Sequence, residues 1–319
     1  MSSWSAGPTR PPPRLGYYQK LPAGTFQATK EPSTVVSAYY EMKSKYNPER
    51  YRGWIRLFLE SVECYIVFYT DAALAPFIQE CRKGKEDRTR VIILPREEWT
   101  ANTAFAPGFW EKQYTIDPEK DIHSHELYRV WYEKKEFVKR AIALNPFGHS
   151  TFVWTDAGIF RSTEVRDLVA KNFPVTERIP TDRMLLFNWW PYAMADEKDV
   201  IFPGNIRIKA SYAKPRILAN ILAGSIKAWS KWDTLYDECM QRFISAGLFV
   251  GKEQDIMGVV AIESKNDISL LDLRKISPEP WWYIILYLGV EEPLYKLFRS
   301  DTALGIKETY AGLLRRLRS

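Results

Sequence analysis

Ser150–Arg161 reads Ser-Thr-Phe-Val-Trp-Thr-Asp-Ala-Gly-Ile-Phe-Arg. Phe152, Val153 and Trp154 form an apolar, β-favouring run that drives into a carboxylate, then a small residue, then a glycine. That order predicts a buried strand surfacing at Asp156, with Gly158 allowing a sharp turn or a close backbone approach to a ligand. In open α/β sheets, ligands bind in the crevice outside the carboxyl ends of the strands. A carboxylate placed there suits a divalent cation held against a phosphate. It suits a helix cap or an Asx-turn as well, and the residues alone leave both readings open.

Working outward, His125–Leu144 has Leu127, Val130, Trp131, Phe137, Val138, Ile142 and Leu144 on or near one stripe and predicts a long amphipathic helix. Asn145-Pro146-Phe147-Gly148 ends it. Before it, Ser33–Tyr40 and Cys64–Tyr69 read as strands, the second closed by Thr70-Asp71, and Arg90–Leu94 as a third. A helix beginning at Asn47-Pro48-Glu49 and another over Ala72–Cys81 separate them. This β-α-β-α-β order predicts an α/β fold, a mostly parallel sheet with helices on both faces. Trp99–Asp121 lacks a clear period and reads as loop. After Asp156 come a helix over Ser162–Asn172, strands at Arg183–Asn188 and Asn205–Ala210, and a helical stretch from Pro215. Helices over Trp229–Ala246 and Glu253–Ile262, a strand at Ile268–Leu273 and an aromatic, helical remainder follow. Residues 1–32, with six prolines and no periodicity, predict an extended tail ahead of a single domain over 33–319.

The chain has 319 residues, 46% of them hydrophobic, enough for a large core. Its charge of +6 comes from 45 basic residues mixed with 39 acidic ones, with local excess at Arg10, Arg14, Lys20 and Lys30 and at Arg315, Arg316 and Arg318. A nucleic-acid binder more often concentrates its charge in a stripe, so no nucleic-acid partner is expected. Cys64, Cys81 and Cys239 form no CxxC pair and no even-numbered framework. No apolar stretch reaches the ~18–20 residues of a membrane span. The expectation is a soluble chain, cytoplasmic, or Golgi-lumenal if an anchor lies outside this sequence; oligomeric state is not legible.

Asp71 and Asp156 both fall at carboxyl ends of predicted parallel strands, and Tyr39 and Tyr40 end the earliest strand, where the same crevice opens. A planar base can stack on such a ring while Asp71 accepts a donor from base or ribose; core packing accounts for the tyrosines equally simply. Lys134, Lys135 and Lys139 lie on the helix feeding the Asp156 strand, and Arg161 lies just beyond it. Cations there would offset charge on a leaving phosphate, or form a solvated helix face. Gly251-Lys-Glu-Gln-Asp255 opens a helix whose acidic start the helix dipole explains, and in which a carboxylate suits a general base. Asp121, His123 and His125 have no companion ligands at a suitable spacing. Asn188-Trp-Trp-Pro191 and Trp281-Trp282 can stack sugar rings or pack a core. The Walker loop, the G-x-G-x-x-G fingerprint and the G-x-S-x-G elbow do not occur.

In order and spacing, several segments resemble the HtrL/YibB-like family, related to GT-A fold glycosyltransferases. They are Thr34-Val-Val-Ser-Ala-Tyr-Tyr40, Tyr65-Ile-Val-Phe-Tyr-Thr-Asp71, Val130-Trp-Tyr-Glu-Lys-Lys-Glu-Phe-Val138, Asn145-Pro-Phe147, Phe152-Val-Trp-Thr-Asp-Ala-Gly158 with Arg161, Ile221-Leu-Ala-Gly-Ser225 and Glu253-Gln-Asp255. The resemblance spans about Ser33 to Leu273 and implies a GT-A-like fold. It implies a nucleotide-sugar donor, a glycan or glycoconjugate acceptor, and Mn²⁺ or Mg²⁺ on the donor diphosphate. Carried onto this chain, it makes Asp156 the metal-bearing carboxylate. Ala38, Tyr39, Tyr40, Asp71, Lys134, Gly158 and Gln254 become substrate contacts, and Glu253, Asp255, Lys134 and Arg161 catalytic groups. Two departures stand out: the usual Asp-x-Asp is here Asp156-Ala-Gly158, and no histidine follows His149. A non-catalytic sugar- or nucleotide-binding protein on the same scaffold is the alternative, and a phosphate-ester hydrolase or nucleotidyltransferase a third reading.

Overall fold

The computed structural model describes residues 31–43, 46–188, 217–272 and 280–290. Seven strands form one sheet in the order β3-β2-β1-β4-β6-β5-β7. They are β1 (Thr34–Ala38), β2 (Tyr65–Thr70), β3 (Thr89–Ile93), β4 (Thr151–Thr155), β5 (Met184–Asn188), β6 (Ile217–Ser225) and β7 (Ile268–Asp272). β1 pairs in parallel with β2 and β4, β2 with β3, and β5 with β7. Only β6 runs against its neighbours, lying antiparallel between β4 and β5. The fold is thus α/β with a mostly parallel sheet.

Strand alternation sorts the core into two layers. Val36, Val67, Tyr69, Phe152, Trp154 and Leu186 face one side. That side is covered by α3 (Thr100–Thr103), α4 (Phe109–Thr115), α5 (His125–Leu144), α7 (Ile226–Ser245) and α8 (Glu253–Glu263). Val35, Ile66, Phe68, Val153, Leu185 and Phe187 face the other. There they meet α1 (Pro48–Ser61), α2 (Ala75–Cys81), α6 (Thr163–Val169) and α9 (Pro280–Gly289). Side-chain caps start the helices as the sequence implies: Asn47 accepts from the Arg50 N–H, with Pro48 in the first turn, and Ser124 accepts from the Leu127 N–H. Asn145, left-handed at φ 34°, closes α5.

Two sequence-based expectations are corrected. Trp99–Asp121 is not plain loop, because it contains the short helices α3 and α4. The stretch from Pro215 does not lead into a helix; Ile217–Ser225 is β6, and the helix begins only at Ile226. Every residue from Ile217 to Gly224 is buried, since this strand is covered on both faces. Such a strand has no alternation, and Leu and Ala make it read as helix. A Cβ on Gly224 would lie 2.6 Å from Met184 Sδ and 3.1 Å from Ala228 Cβ, so glycine permits the close packing there. Residues 1–30, including most of the expected tail, and the expected strand at Asn205–Ala210 lie outside the described residues. Among the described residues, no helix is long and apolar enough to cross a membrane.

Candidate active site

The carboxyl ends of β1, β2 and β4 open on one rim, and β6, running the opposite way, brings its first residues to the same place. Asp156 is the first residue beyond β4, and its N–H extends the ladder to the Asn220 carbonyl at 2.8 Å. Its side chain is 40% exposed, which puts a carboxylate at the surface of the rim. One oxygen, Oδ1, is already engaged: Trp154 Nε1 donates to it at 2.9 Å, and Lys134 Nζ lies 3.1 Å away. Trp154 reaches it because residues two apart in a strand share a face.

Lys134 comes from α5 and is buried. Its ammonium also donates to the Ala219 carbonyl at 3.0 Å and to Glu253 Oε1 at 2.7 Å, so three acceptors face its three protons. Ala219 lies where the β5–β6 register slips between Leu185 and Phe187. Burial pulls Lys134 down, but the Asp156 and Glu253 carboxylates outweigh it and hold the lysine above its ordinary value. Glu253, in the first turn of α8, is also buried. Burial pushes its carboxyl up to about 7 against the pull of Lys134, and the Asp156 charge adds to the rise. Gln254 Nε2 donates to the Ile217 carbonyl at 2.5 Å, tying α8 to the start of β6. Asp255 is buried in the same turn.

On the other side of Asp156, Arg161 Nε donates to the Gly158 carbonyl at 2.7 Å, and its guanidinium lies 3.5 Å from the Trp54 ring centroid. Tyr46, Tyr51 and Trp54 pack edge to face, and Tyr39 lies 6.1 Å from Tyr51 with rings 29° apart. Gly158 is not in the left-handed region. A Cβ on it would meet Tyr51 and Trp54 at 3.5–3.6 Å, ordinary contact, so neither a strained turn nor a close approach demands glycine there.

Lys134, Asp156, Glu253 and Gln254 therefore cluster through α5, β4, β6 and α8, while Gly158, Arg161 and Tyr39 adjoin an aromatic group on α1. Ala38 ends β1, half-buried, with Tyr39 next to it. Asp71 Oδ1 accepts from the Leu74 N–H at 2.9 Å, which makes it a turn residue before α2 while it stays partly exposed. Tyr40 is turned into the core: its hydroxyl donates to the Leu94 carbonyl at 2.9 Å and its ring packs on Trp99 and Phe137. Sequence patterning alone does not single out Trp154, the Ala219 carbonyl, Tyr51 or Trp54 as site groups. Trp154 was readable, standing two residues before Asp156; Trp54 carried only the signal of an apolar helix face.

The donors around Asp156 do not make a metal cage. Among the described residues, Asp156 belongs to no group of acids close enough to share a metal; Glu253 is bonded to Lys134, and the ammonium stands 3.1 Å from Asp156 Oδ1. Among the described residues, the acids that come close enough together to hold a metal are Glu136, Asp233 and Asp237. These surround the buried Lys135 ammonium, which is bonded to Glu136 and lies 2.8 Å from Asp233 and 3.1 Å from Asp237. Lys139 is the solvated member of the lysine trio, 59% exposed and paired with Asp233. His123 Nδ1 donates to the Asp117 carboxylate at 2.9 Å and His125 lies against Arg129, so among the described residues neither joins a metal-binding group. A cavity of about 730 Å³ between α7 and α8, beside Arg242 and Glu263, contains none of the rim residues.

No protein-family model matches the chain, and no curated protein matches it. The HtrL/YibB-like resemblance thus stays one of motifs. Among solved structures, the chain is similar to the crystal structure of mouse Xyloside xylosyltransferase 1 in its apo form. The match has a TM-score of 0.47 and 10% sequence identity, and covers 85% of this chain and 94% of that one.

Proposed function

We propose that this chain binds a nucleotide-diphosphate sugar over the carboxyl ends of β1, β2 and β4 and transfers the sugar to a hydroxyl acceptor, a glycan or glycoconjugate. The observation that carries the reading is Asp156: a half-exposed carboxylate at a central strand end, its inner oxygen fixed by Trp154 and the buried Lys134–Glu253 pair. Pre-fixing of this kind is what a site must have to hold a polar ligand in one pose. Asp71 and Tyr39 on the adjoining strand ends suit the nucleoside, and Arg161 on Trp54 brings positive charge for the departing diphosphate. In the reaction, the acceptor oxygen bonds to the anomeric carbon as the bond to the diphosphate oxygen breaks. Glu253, with a carboxyl near 7, has the proton affinity of a group that takes the acceptor proton, and Gln254 and Asp255 stand beside it.

The test is a panel of UDP-, GDP- and CMP-sugars, read by melting temperature and by release of the nucleotide. At least one donor raises the melting temperature and yields its free nucleotide, and Asp156→Ala abolishes both. Release of phosphate or pyrophosphate, or the absence of any stabilising donor, ends the reading. A second reading is a non-catalytic nucleotide-sugar or glycan-binding protein. The ammonium beside Asp156, where a second acid would be needed for a chelated cation, favours it. It gives a melting shift without nucleotide release.

A further inference from the structure

We propose that Lys134 is a built-in cation that keeps Mn²⁺ and Mg²⁺ off Asp156, so that the chain handles its anionic ligand without a divalent metal. This rests on the reading of Asp156 as the donor-side carboxylate, and three observations carry it. The Lys134 ammonium lies 3.1 Å from Asp156 Oδ1, inside the space a metal bound to that oxygen would claim. Its other two protons go to Glu253 Oε1 and the Ala219 carbonyl, and its side chain is buried, so it cannot swing away without stranding a buried acid. Among the described residues, the carboxylate that shares the Lys134 ammonium with Asp156 is Glu253, and its Oε1 is spent on that ammonium. Two carboxylates and one lysine carry at most one net negative charge, and a second, doubly charged cation next to the ammonium meets repulsion at short range. The pattern repeats on the outer side of α5, where Lys135 fills the space between Glu136, Asp233 and Asp237.

The experiment titrates Mn²⁺ alone, with no nucleotide, and follows the free-ion EPR signal. Wild type and Asp156→Asn bind the same amount of Mn²⁺, which discounts any ion taken up by the Lys135 cluster. Removing the ammonium in Lys134→Met opens a site that binds Mn²⁺ about tenfold or more tightly than wild type. That gain disappears in Lys134→Met/Asp156→Asn, and Lys134→Arg does not show it. Wild-type binding that is lost in Asp156→Asn overturns the proposal, as does a folded Lys134→Met that gains nothing. If Lys134→Met fails to fold by circular dichroism, the comparison of wild type with Asp156→Asn still decides. A parallel measurement compares nucleotide-induced melting shifts of the wild type in EDTA and in Mn²⁺. Equal shifts support metal-free binding, and a shift seen only with Mn²⁺ overturns it. Failure of every nucleotide to bind in both buffers counts against the proposed function, while the Mn²⁺ titration still decides the role of Lys134.

Discussion

Asp156 has one oxygen committed before any ligand arrives, by Trp154 two residues before it and by Lys134 from α5, which Glu253 holds in turn. Of these, Trp154 was legible, because strand parity puts it on the same side as Asp156. The residues alone offer Lys134 and Glu253 separately, a cation on α5 and an acid at the start of α8, and nothing local shows that positions 119 apart form a pair. Parity also separates the two tyrosines: Tyr40 shares the face of Val36 and enters the core, whereas Tyr39 falls on the opposite face beside Tyr51. An expectation that both line one crevice neglects that rule. On the same side as Tyr39, Arg161 stacks on Trp54, which local patterning marks only as an apolar position in α1. Trp54→Leu removes the ring the guanidinium stacks on and leaves it held by the Gly158 carbonyl and the more distant Tyr46 and Tyr51 rings. It is expected to weaken binding of the stabilising nucleotide by about three- to thirtyfold, since such a stack is worth ~0.5–2 kcal/mol. Calorimetric titration of wild type and variant checks it, and unchanged affinity removes Arg161 from the ligand's path.

At the scale of elements, the first half of the sheet was readable because its units are local. A capped amphipathic helix between two apolar runs specifies a parallel pair, and β1, β2 and β3 fall within two residues of their expected bounds. β6 was not readable, because a strand covered on both faces shows neither alternation nor a turn before its helix. Its identity is decided by partners distant in sequence, Thr151–Thr155 on one side and Met184–Asn188 on the other. One buried residue holds the local unit together in a way composition does not announce. Arg82, just past α2, donates to the carbonyls of Leu59, Val62 and Cys64 and to Thr89 Oγ1, so it closes the end of α1 and binds it to β2 and β3. Arg82→Met keeps the bulk and loses those bonds, leaving buried carbonyls short of donors. The expected loss is about 3 kcal/mol or more, read from urea denaturation. A change under about 0.5 kcal/mol, the range of ordinary surface substitutions, would show that the carbonyls find water instead.

Over the whole molecule, two buried acids on the α5 side set how stability follows pH. Burial pushes Glu253 up to about 7 and does the same to Glu133, against the Thr100 and Ala101 N–H groups that its carboxylate accepts from at 3.0 and 2.8 Å. An unfolded glutamate titrates near 4.5. Between about 4.5 and 7 the folded chain therefore holds protons that the unfolded chain has released. Folding is favoured most below the unfolded value, and that contribution drains away as pH rises through the folded one. Glu63, Glu111, Asp182 and Asp233, held below their ordinary values chiefly by hydrogen bonds and ion pairs with Lys and Arg, act oppositely, and their contribution is lost only at more acid pH. Buried His149, held below its ordinary value by desolvation, gains stability as pH rises toward 6.5 and offsets part of the fall, but the two raised glutamates outnumber it and leave maximum stability on the mildly acid side of neutrality. The urea midpoint is expected to fall from pH 5.5 to pH 8, with each raised glutamate contributing on the order of 1–3 kcal/mol. The Glu133 carboxylate is bonded to the Thr100 and Ala101 N–H groups of α3, so Glu133→Gln tests the linkage without removing a Lys134 or Asp156 partner. Glutamine has no proton to lose in this range, and the variant should show a shallower fall than the wild type. A midpoint that rises toward pH 8, or a variant with an unaltered slope, would mean that these acids enter the folded state already ionised.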